Sequence, residues 1–376
     1  MANSSGWTLE RVRKVASGTC FVLSLFVTAL IGFISLSFFY LPGFLLKLSF
    51  AQWIYDTLTS LWFTFAVGLF EIIHGVKIVV NGDVKSLNKN RCALIIMNHR
   101  TRLDWLFFFA VQLRYGSLRR FKIALKEEIR HLPGPGWAMQ GAQFLFLKRR
   151  WEIDRERITT SLKSFKSNGL IPQILFFPEG TDFRAVSREK SRRYAEKNDL
   201  VDYEYVLHPR TLGFTTMVNE MRKYNDLEQI IDVTVSYPHN MVQSELDVMK
   251  GNIPKKIVFT LKTYEVDQLQ TDSDHRLTAW VEERWAEKEE FLRQCYRNGT
   301  FSGSNNYTHA QNAEIERDSK IYMVGALIFW TLWTCLVIYM SIMSYSIRLT
   351  MYMLGCVYFA ISGFVGIDAF FTKIRE

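Results

Sequence analysis

The chain has 376 residues, 48% of them hydrophobic, with 29 Phe, 16 Tyr and 10 Trp, and a formal net charge of +9. This length allows one large domain plus membrane elements, and the aromatic load fits a membrane protein with interfacial belts. The five Cys form no C-x-x-C pair and the seven His no H-x-x-x-H spacing, which argues against a disulfide framework or metal site; the basic balance is assigned to anionic lipid rather than nucleic acid.

Residues 1–18 are polar and carry Arg11, Arg13 and Lys14. The apolar run Cys20–Leu41 that follows is long enough to span a bilayer and too long for the core of a signal peptide. Pro42-Gly43 is expected to break it. Trp53–Ile73 is a second apolar stretch with Asp56 and Glu71 near its ends. It either crosses with snorkelling ends or lies re-entrant or interfacial. Both readings return the chain to its starting side, and the basic flanks put that side in the cytosol.

Residues 75–298 read as one α/β domain. Strand-like runs fall at Val76–Val80, Ala93–Met97, Gln173–Phe177, Ile231–Tyr237 and Ile257–Leu261, and helical ones at Trp105–Tyr115 and Trp151–Lys166. This alternation predicts a mixed or parallel sheet. The charged stretch 280–295 predicts a solvated surface helix, and the polar stretch 296–312 reads as part of a linker reaching residue 320. Ile321–Met340 and Leu349–Phe371 predict a second membrane hairpin. Arg317 and Lys320 before it, and Lys373 and Arg375 after it, put both ends and the tail 372–376 in the cytosol.

The chemistry concentrates at the ends of the apolar runs. Ala93–Met97 stops at Asn98-His99, and Asp104 follows five residues after the His. If His99 lies in the loop and Asp104 in the first turn of the next helix, with Thr101 as its N-cap, the two side chains meet. Asp104 then holds one ring nitrogen and the other is free to take a proton from a hydroxyl. No Ser or Cys nucleophile is required if the substrate brings the hydroxyl. The run from Gly141 ends in Lys148-Arg149-Arg150, the run from Ile174 ends in Pro178-Glu179-Gly180-Thr181, and His208-Pro209-Arg210 precedes Gly213. Cations gathered on one sheet edge suit a phosphate, and Gly180 permits close approach of backbone N–H groups to an anion. His208 reads as structural.

In joint order and spacing, His99-x4-Asp104, the Gly141…Lys148-Arg149 block and Phe177-Pro178-Glu179-Gly180-Thr181 resemble the motifs of the glycerophospholipid acyltransferases. Asn98–Trp105, Pro135–Gln140, Tyr205–Phe214 and Val233–Asn240 resemble most closely the branch with the lysocardiolipin and lysophosphatidylinositol acyltransferases. The resemblance implies transfer of an acyl group from acyl-CoA, as co-substrate, to the hydroxyl of a lysophospholipid, with no bound cofactor. His99 would be the base and Asp104 its partner. Glu179, Gly180 and Arg149 would bind the acceptor's phosphate and head, with Lys148 and Arg210 as secondary candidates. Asn98, Gly141, Pro178 and Thr181 complete the expected substrate site. Residence in the endoplasmic reticulum membrane, with the site facing the cytosol, is likewise implied by the resemblance. Rival readings are synthesis of phosphatidic acid, CoA-independent transacylation, and an inactive lipid-binding protein.

Overall fold

A computed structural model describes residues 9–46, 48, 50–87, 90–269, 273–301 and 303–375. The ends of the expected cytosolic termini, residues 1–8 and 376, and the side chains of Lys373 and Arg375 lie outside the described residues.

Two long helices come first: α1 (Leu9–Leu45) and α2 (Ala51–Gly68), the latter ending in a π-helical turn, Leu69–Ile73. Pro42 does not end α1, contrary to expectation. Its carbonyl accepts from Leu46 N at 2.9 Å, so the helix carries on past the one donor it lacks. The α/β domain then runs β1 (Lys77–Gly82), β2 (Ala93–Met97), α3 (Asp104–Tyr115), β3 (Phe121–Lys126), α4 (Pro135–Gly141), β4 (Leu145–Leu147), α5 (Trp151–Ser167) and β5 (Gln173–Phe176). It continues with α6 (Ala185–Lys197), α7 (Thr211–Asn225), β6 (Gln229–Ser236), α8 (Glu245–Met249), β7 (Lys256–Glu265) and α9 (Asp274–Asn298). Three helices close the chain: α10 (His309–Met343), α11 (Tyr345–Phe364) and α12 (Ile367–Arg375). Helix α10 starts inside the stretch read from the sequence as linker.

The strands form one seven-stranded sheet in the order β1-β7-β6-β2-β5-β3-β4. β6, β2, β5, β3 and β4 are mutually parallel, whereas β7 is antiparallel to β6 and β1 follows β7. The sheet is mixed, as the sequence predicts. In such a sheet ligands bind beyond the carboxyl ends of the parallel strands, and the loops after β2, β3, β4, β5 and β6 all open on that edge.

Strand alternation sorts the core into two layers. Ile95, Met97, Ile231, Val233, Val235 and Phe259 face α1, α2 and α3, while Leu94, Ile96, Ile174 and Ile230 face α5, α7 and α9. Helices α1, α2 (with its π turn), α10 and α11 are long and apolar enough to cross a membrane. More than half of the most apolar stretch of α1 and of α2 is nevertheless buried against protein, compared with 22% in α10 and 11% in α11. The acids of the second segment explain part of this. Asp56 pairs with buried Lys122 of β3 at 3.3 Å, and Glu71 with buried Arg114 of α3 at 2.6 Å.

Helix α9 departs from its solvated reading. Leu277, Val281, Trp285, Lys288, Glu289, Leu292 and Cys295 are buried along one face. Lys288 Nζ donates to Val233 O at 2.7 Å and to Thr234 Oγ1 at 3.2 Å, and it pairs with Asp232 beneath the sheet. Burial pushes Lys288 down and Asp232 up, and each partner opposes the other's shift.

Candidate active site

His99 lies in the loop after β2, and Asp104 is the first residue of α3. His99 Nδ1 is 3.0 Å from Asp104 Oδ2. The Asp104 side chain is fully buried, so its charge must be answered by donors. Thr101 N donates to Oδ2 at 2.9 Å, Tyr237 OH to Oδ1 at 2.6 Å and Thr101 Oγ1 to Oδ1 at 3.2 Å. Thr101 thus serves the carboxylate rather than capping α3, whose N-cap is Leu103. Burial and the neighbouring Asp104 hold the Tyr237 hydroxyl well above its ordinary range, so it remains a donor.

An acceptor carboxylate at Nδ1 fixes the proton there, which leaves Nε2 as the basic nitrogen. Nε2 has no partner among the described residues. The imidazole stacks on Phe177 with ring centroids 4.1 Å apart and is 14% exposed. It is therefore held on one face and open at its edge, as a general base must be.

Asn98 does not reach the cleft, contrary to expectation. It is fully buried, its Nδ2 donates to Val235 O at 3.1 Å, and its Oδ1 accepts from Val235 N at 2.8 Å. It ties the end of β2 to β6. Gly141 is also corrected: it closes α4 against α2, where a Cβ would lie 2.3 Å from the Tyr55 hydroxyl. Glu179 is corrected too. Only 2% exposed, it sits behind His99, where its Oε1 accepts from His99 N and from Trp285 Nε1, each at 3.2 Å. Burial pushes its carboxyl up to about 8, against the pull of those two N–H groups and of the Leu207 backbone N–H.

The cations sort themselves. Arg149 has a left-handed backbone (φ 60°), and its guanidinium donates to Gly180 O. Gly180 also has positive φ (68°), and a Cβ there would come 3.2 Å from Arg210 Cδ, so glycine is required on both counts. Burial and the nearby Arg210 lower Arg149. Lys126, at the end of β3, is half-buried and is lowered by burial and by Arg149. Like charges held this close favour a bound anion. Lys148 is exposed, its charge helps lower Glu127, and its backbone N donates to Asp154 Oδ1 at 2.7 Å. Pro178 is buried, and its carbonyl accepts from Arg210 N at 2.7 Å; the Thr181 hydroxyl lies 3.4 Å from Asp182 Oδ1. His208 is structural, stacked on Tyr203 with Nε2 3.0 Å from Val201 O.

Sequence reasoning missed four residues here: Lys126, Tyr237, Trp285 and Arg100. Buried Arg100 lies over the rings of Phe183 and Tyr296 and donates to Tyr205 O, tying together the loops behind His99. The alternation Phe121, Ile123, Leu125 would have revealed the strand that ends at Lys126.

A mixed sheet whose parallel strand ends carry a part-buried His–Asp pair and a group of cations, resting on helices apolar enough to cross a membrane, has the make-up of an enzyme that works at a membrane. Comparison with known proteins narrows this. The Acyltransferase family model matches residues 77–238 and the Acyltransferase C-terminus model residues 247–330. Lysocardiolipin acyltransferase 1 of Gallus gallus is 43% identical over 282 residues, covering 75% of this chain and 74% of that protein. Lysophosphatidylinositol acyltransferase 10 of Caenorhabditis elegans is 39% identical over 250 residues, 65% of this chain and 63% of that one. Among solved structures, the 1-acyl-sn-glycerophosphate acyltransferase PlsC of Thermotoga maritima covers 72% of this chain and 97% of its own, with 17% identity and a TM-score of 0.42. The chain belongs to the acyltransferase family, as its motifs imply.

Proposed function

We propose that the protein transfers a fatty acyl group from acyl-CoA to the free hydroxyl of a lysophospholipid, lysophosphatidylinositol or lysocardiolipin, in phospholipid remodelling. The observation that carries this reading is the His99–Asp104 pair, with Nε2 open, on the same strand edge as Arg149, Arg210 and Lys126. The acceptor's phosphate sits among the cations, which brings its hydroxyl to Nε2. As the hydroxyl oxygen attacks the thioester carbonyl, its proton passes to Nε2 and Asp104 stabilises the imidazolium. The C–S bond breaks, and His99 returns the proton to the departing CoA thiolate. Every step is served by groups on this chain and the two substrates.

The membrane setting follows from the apolar helices. Helix α2 and its π turn are pinned near both ends to the catalytic domain, through Asp56 and Glu71. In this reading they lie re-entrant beneath the domain, α10 and α11 span the bilayer of the endoplasmic reticulum, and the cleft faces the cytosol. The test is purified protein assayed with acyl-CoA against a panel of lysophospholipids. Turnover of lysophosphatidylinositol or lysocardiolipin supports the proposal. Turnover of lysophosphatidic acid alone makes the protein a phosphatidic acid synthase. Product formed without acyl-CoA makes it a transacylase, and lipid binding without turnover makes it a binding protein.

A further inference from the structure

Glu179 lies in the family motif yet turns its carboxyl away from the cleft. Its Oε1 is shared by two donors: the backbone N–H of His99 and the indole N–H of Trp285. Trp285 comes from α9, more than a hundred residues on in sequence, and lies within the C-terminal family model rather than the one that holds His99. It is fully buried. Lys288, one turn further along α9, lies 5.2 Å from the centre of the indole ring and is itself locked by Asp232, Val233 O and Thr234. The indole therefore has little freedom to turn. A carboxyl held only by the backbone N–H groups of His99 and Leu207 keeps freedom about its terminal torsion, which is broad for Glu. A second donor on the same oxygen removes that freedom.

We infer that Trp285 is a positioning residue for the reaction: through Glu179 it fixes the backbone of His99, and so the direction of Nε2. Asp104 holds the imidazole ring, whereas Glu179 and Trp285 hold the peptide from which the ring hangs. Catalytic geometry is sensitive to sub-ångström error in such support. The C-terminal region is thereby part of the catalytic apparatus without touching substrate. The inference rests on the proposed acyl transfer with His99 as base, but its structural half can be read without activity.

The test is a double-mutant cycle on the full-length protein in detergent or nanodiscs, with Trp285→Phe and Glu179→Leu, which removes the shared acceptor. Two readouts are taken: acyl-transfer kinetics, and hydrogen exchange of the peptide that contains the His99 amide. Trp285→Phe should lower kcat about tenfold, the effect of losing one hydrogen bond to a buried group. KM for both substrates should stay within about twofold. Exchange at His99 should quicken while the peptides of β2 and β6 stay protected. In the Glu179→Leu background the same substitution should cost nothing further. Unchanged kcat with unchanged exchange at His99 would overturn the inference. So would additive losses, or faster exchange spread along all of α9, which marks a packing role. If wild type turns over no lysophospholipid, the proposed function fails, and exchange at His99 still decides the role of Trp285. Should the Phe variant not fold, Trp285→Met, whose flexible thioether fills irregular space, goes through the same cycle with the same outcomes.

Discussion

In the proposed reaction His99 and Asp104 divide the labour of a base: the ring moves a proton, and the carboxylate stays in the protein interior. The carboxylate's donors are Thr101, Tyr237 and His99. His99→Ala should therefore lose about 10²–10⁴-fold in kcat with the protein still folded, since that is the usual worth of a general base. Asp104→Asn should be severely impaired as well, because the amide offers the wrong partner to Nδ1. Near wild-type turnover by purified His99→Ala on every acceptor would return His99 to a structural role. Arg149 makes a different kind of contribution. Arg149→Ala should reduce kcat/KM for the acceptor by roughly 30- to 150-fold, the equivalent of a charge-assisted bond of about 2–3 kcal/mol, with little change for acyl-CoA. Titration of the acceptor and the donor in turn separates the two. Glu179 adds a stability term. Its carboxyl moves from an ordinary 4.5 to about 8 on burial, so between those values the folded protein holds a proton that the unfolded chain has released. Folding is favoured below that window and weakens as pH rises through it, by on the order of 5 kcal/mol in all. Melting curves from pH 5 to 9 should slope down in wild type and flatten in Glu179→Gln; parallel slopes would mean that another group carries the dependence.

Elements were legible in the sequence where burial and period agreed. β2 is an unbroken apolar run, β5 is apolar after Gln173, and α3 begins within a residue of its expected start because Asp104 and the Phe-rich run mark it. The elements that escaped notice each put charge where the pattern calls for something apolar. β3 buries Lys122, made tolerable by Asp56 and by Ala142 O at 2.7 Å. Helix α6 buries only Ala195, so it leaves no apolar stripe to read. Helix α9 does have a face, spaced Leu277, Val281, Trp285, Lys288, Leu292 and Cys295, but a Lys stands in the middle of it. For the same reason the His–Asp pair could be seen in the sequence while its support could not: Tyr237 and Trp285 reach it from distant elements. The buried ion pair also sets what α9 will tolerate. Lys288→Ala strands Asp232 in the interior and should cost about 3–5 kcal/mol. Lowering the pH should return part of that stability, because Asp232 can then take up a proton. Thermal melts of Lys288→Ala at pH 5 and pH 8 test both statements, and equal losses at the two values would mean that water reaches the site.

At the scale of the whole molecule, the side of the membrane on which the cleft opens is tied to a loop far from it in sequence. Residues 304–306 pack along β1: Gly82 N donates to Ser304 O at 2.9 Å, Asn306 N to Gly82 O at 3.2 Å, and Asn305 Nδ2 to Val80 O at 3.4 Å. That loop and its flanks carry two sequons, Asn298-Gly299-Thr300 and Asn306-Tyr307-Thr308. The first residues of α1 are held by the same domain, since a Cβ on Gly18 would fall 1.8 Å from Val248 O of α8. The N-terminal part of α1, the catalytic cleft and both sequons therefore share one side, whichever of the apolar helices cross. Helix α1, 37 residues long, extends about 55 Å, well beyond a hydrocarbon core of about 30 Å, so it has length enough to rest on the domain and still enter the bilayer. With the cleft in the cytosol, Asn298 and Asn306 escape the glycosylation machinery of the lumen. The protein expressed in microsomes should then run at the same mobility before and after endoglycosidase treatment, whereas a sequon engineered into the turn between α10 and α11, around Ser344, should be modified. A glycan traced to Asn298 or Asn306 would turn the whole molecule over, putting His99 in the lumen, away from cytosolic acyl-CoA, and would remove the donor from the proposed reaction.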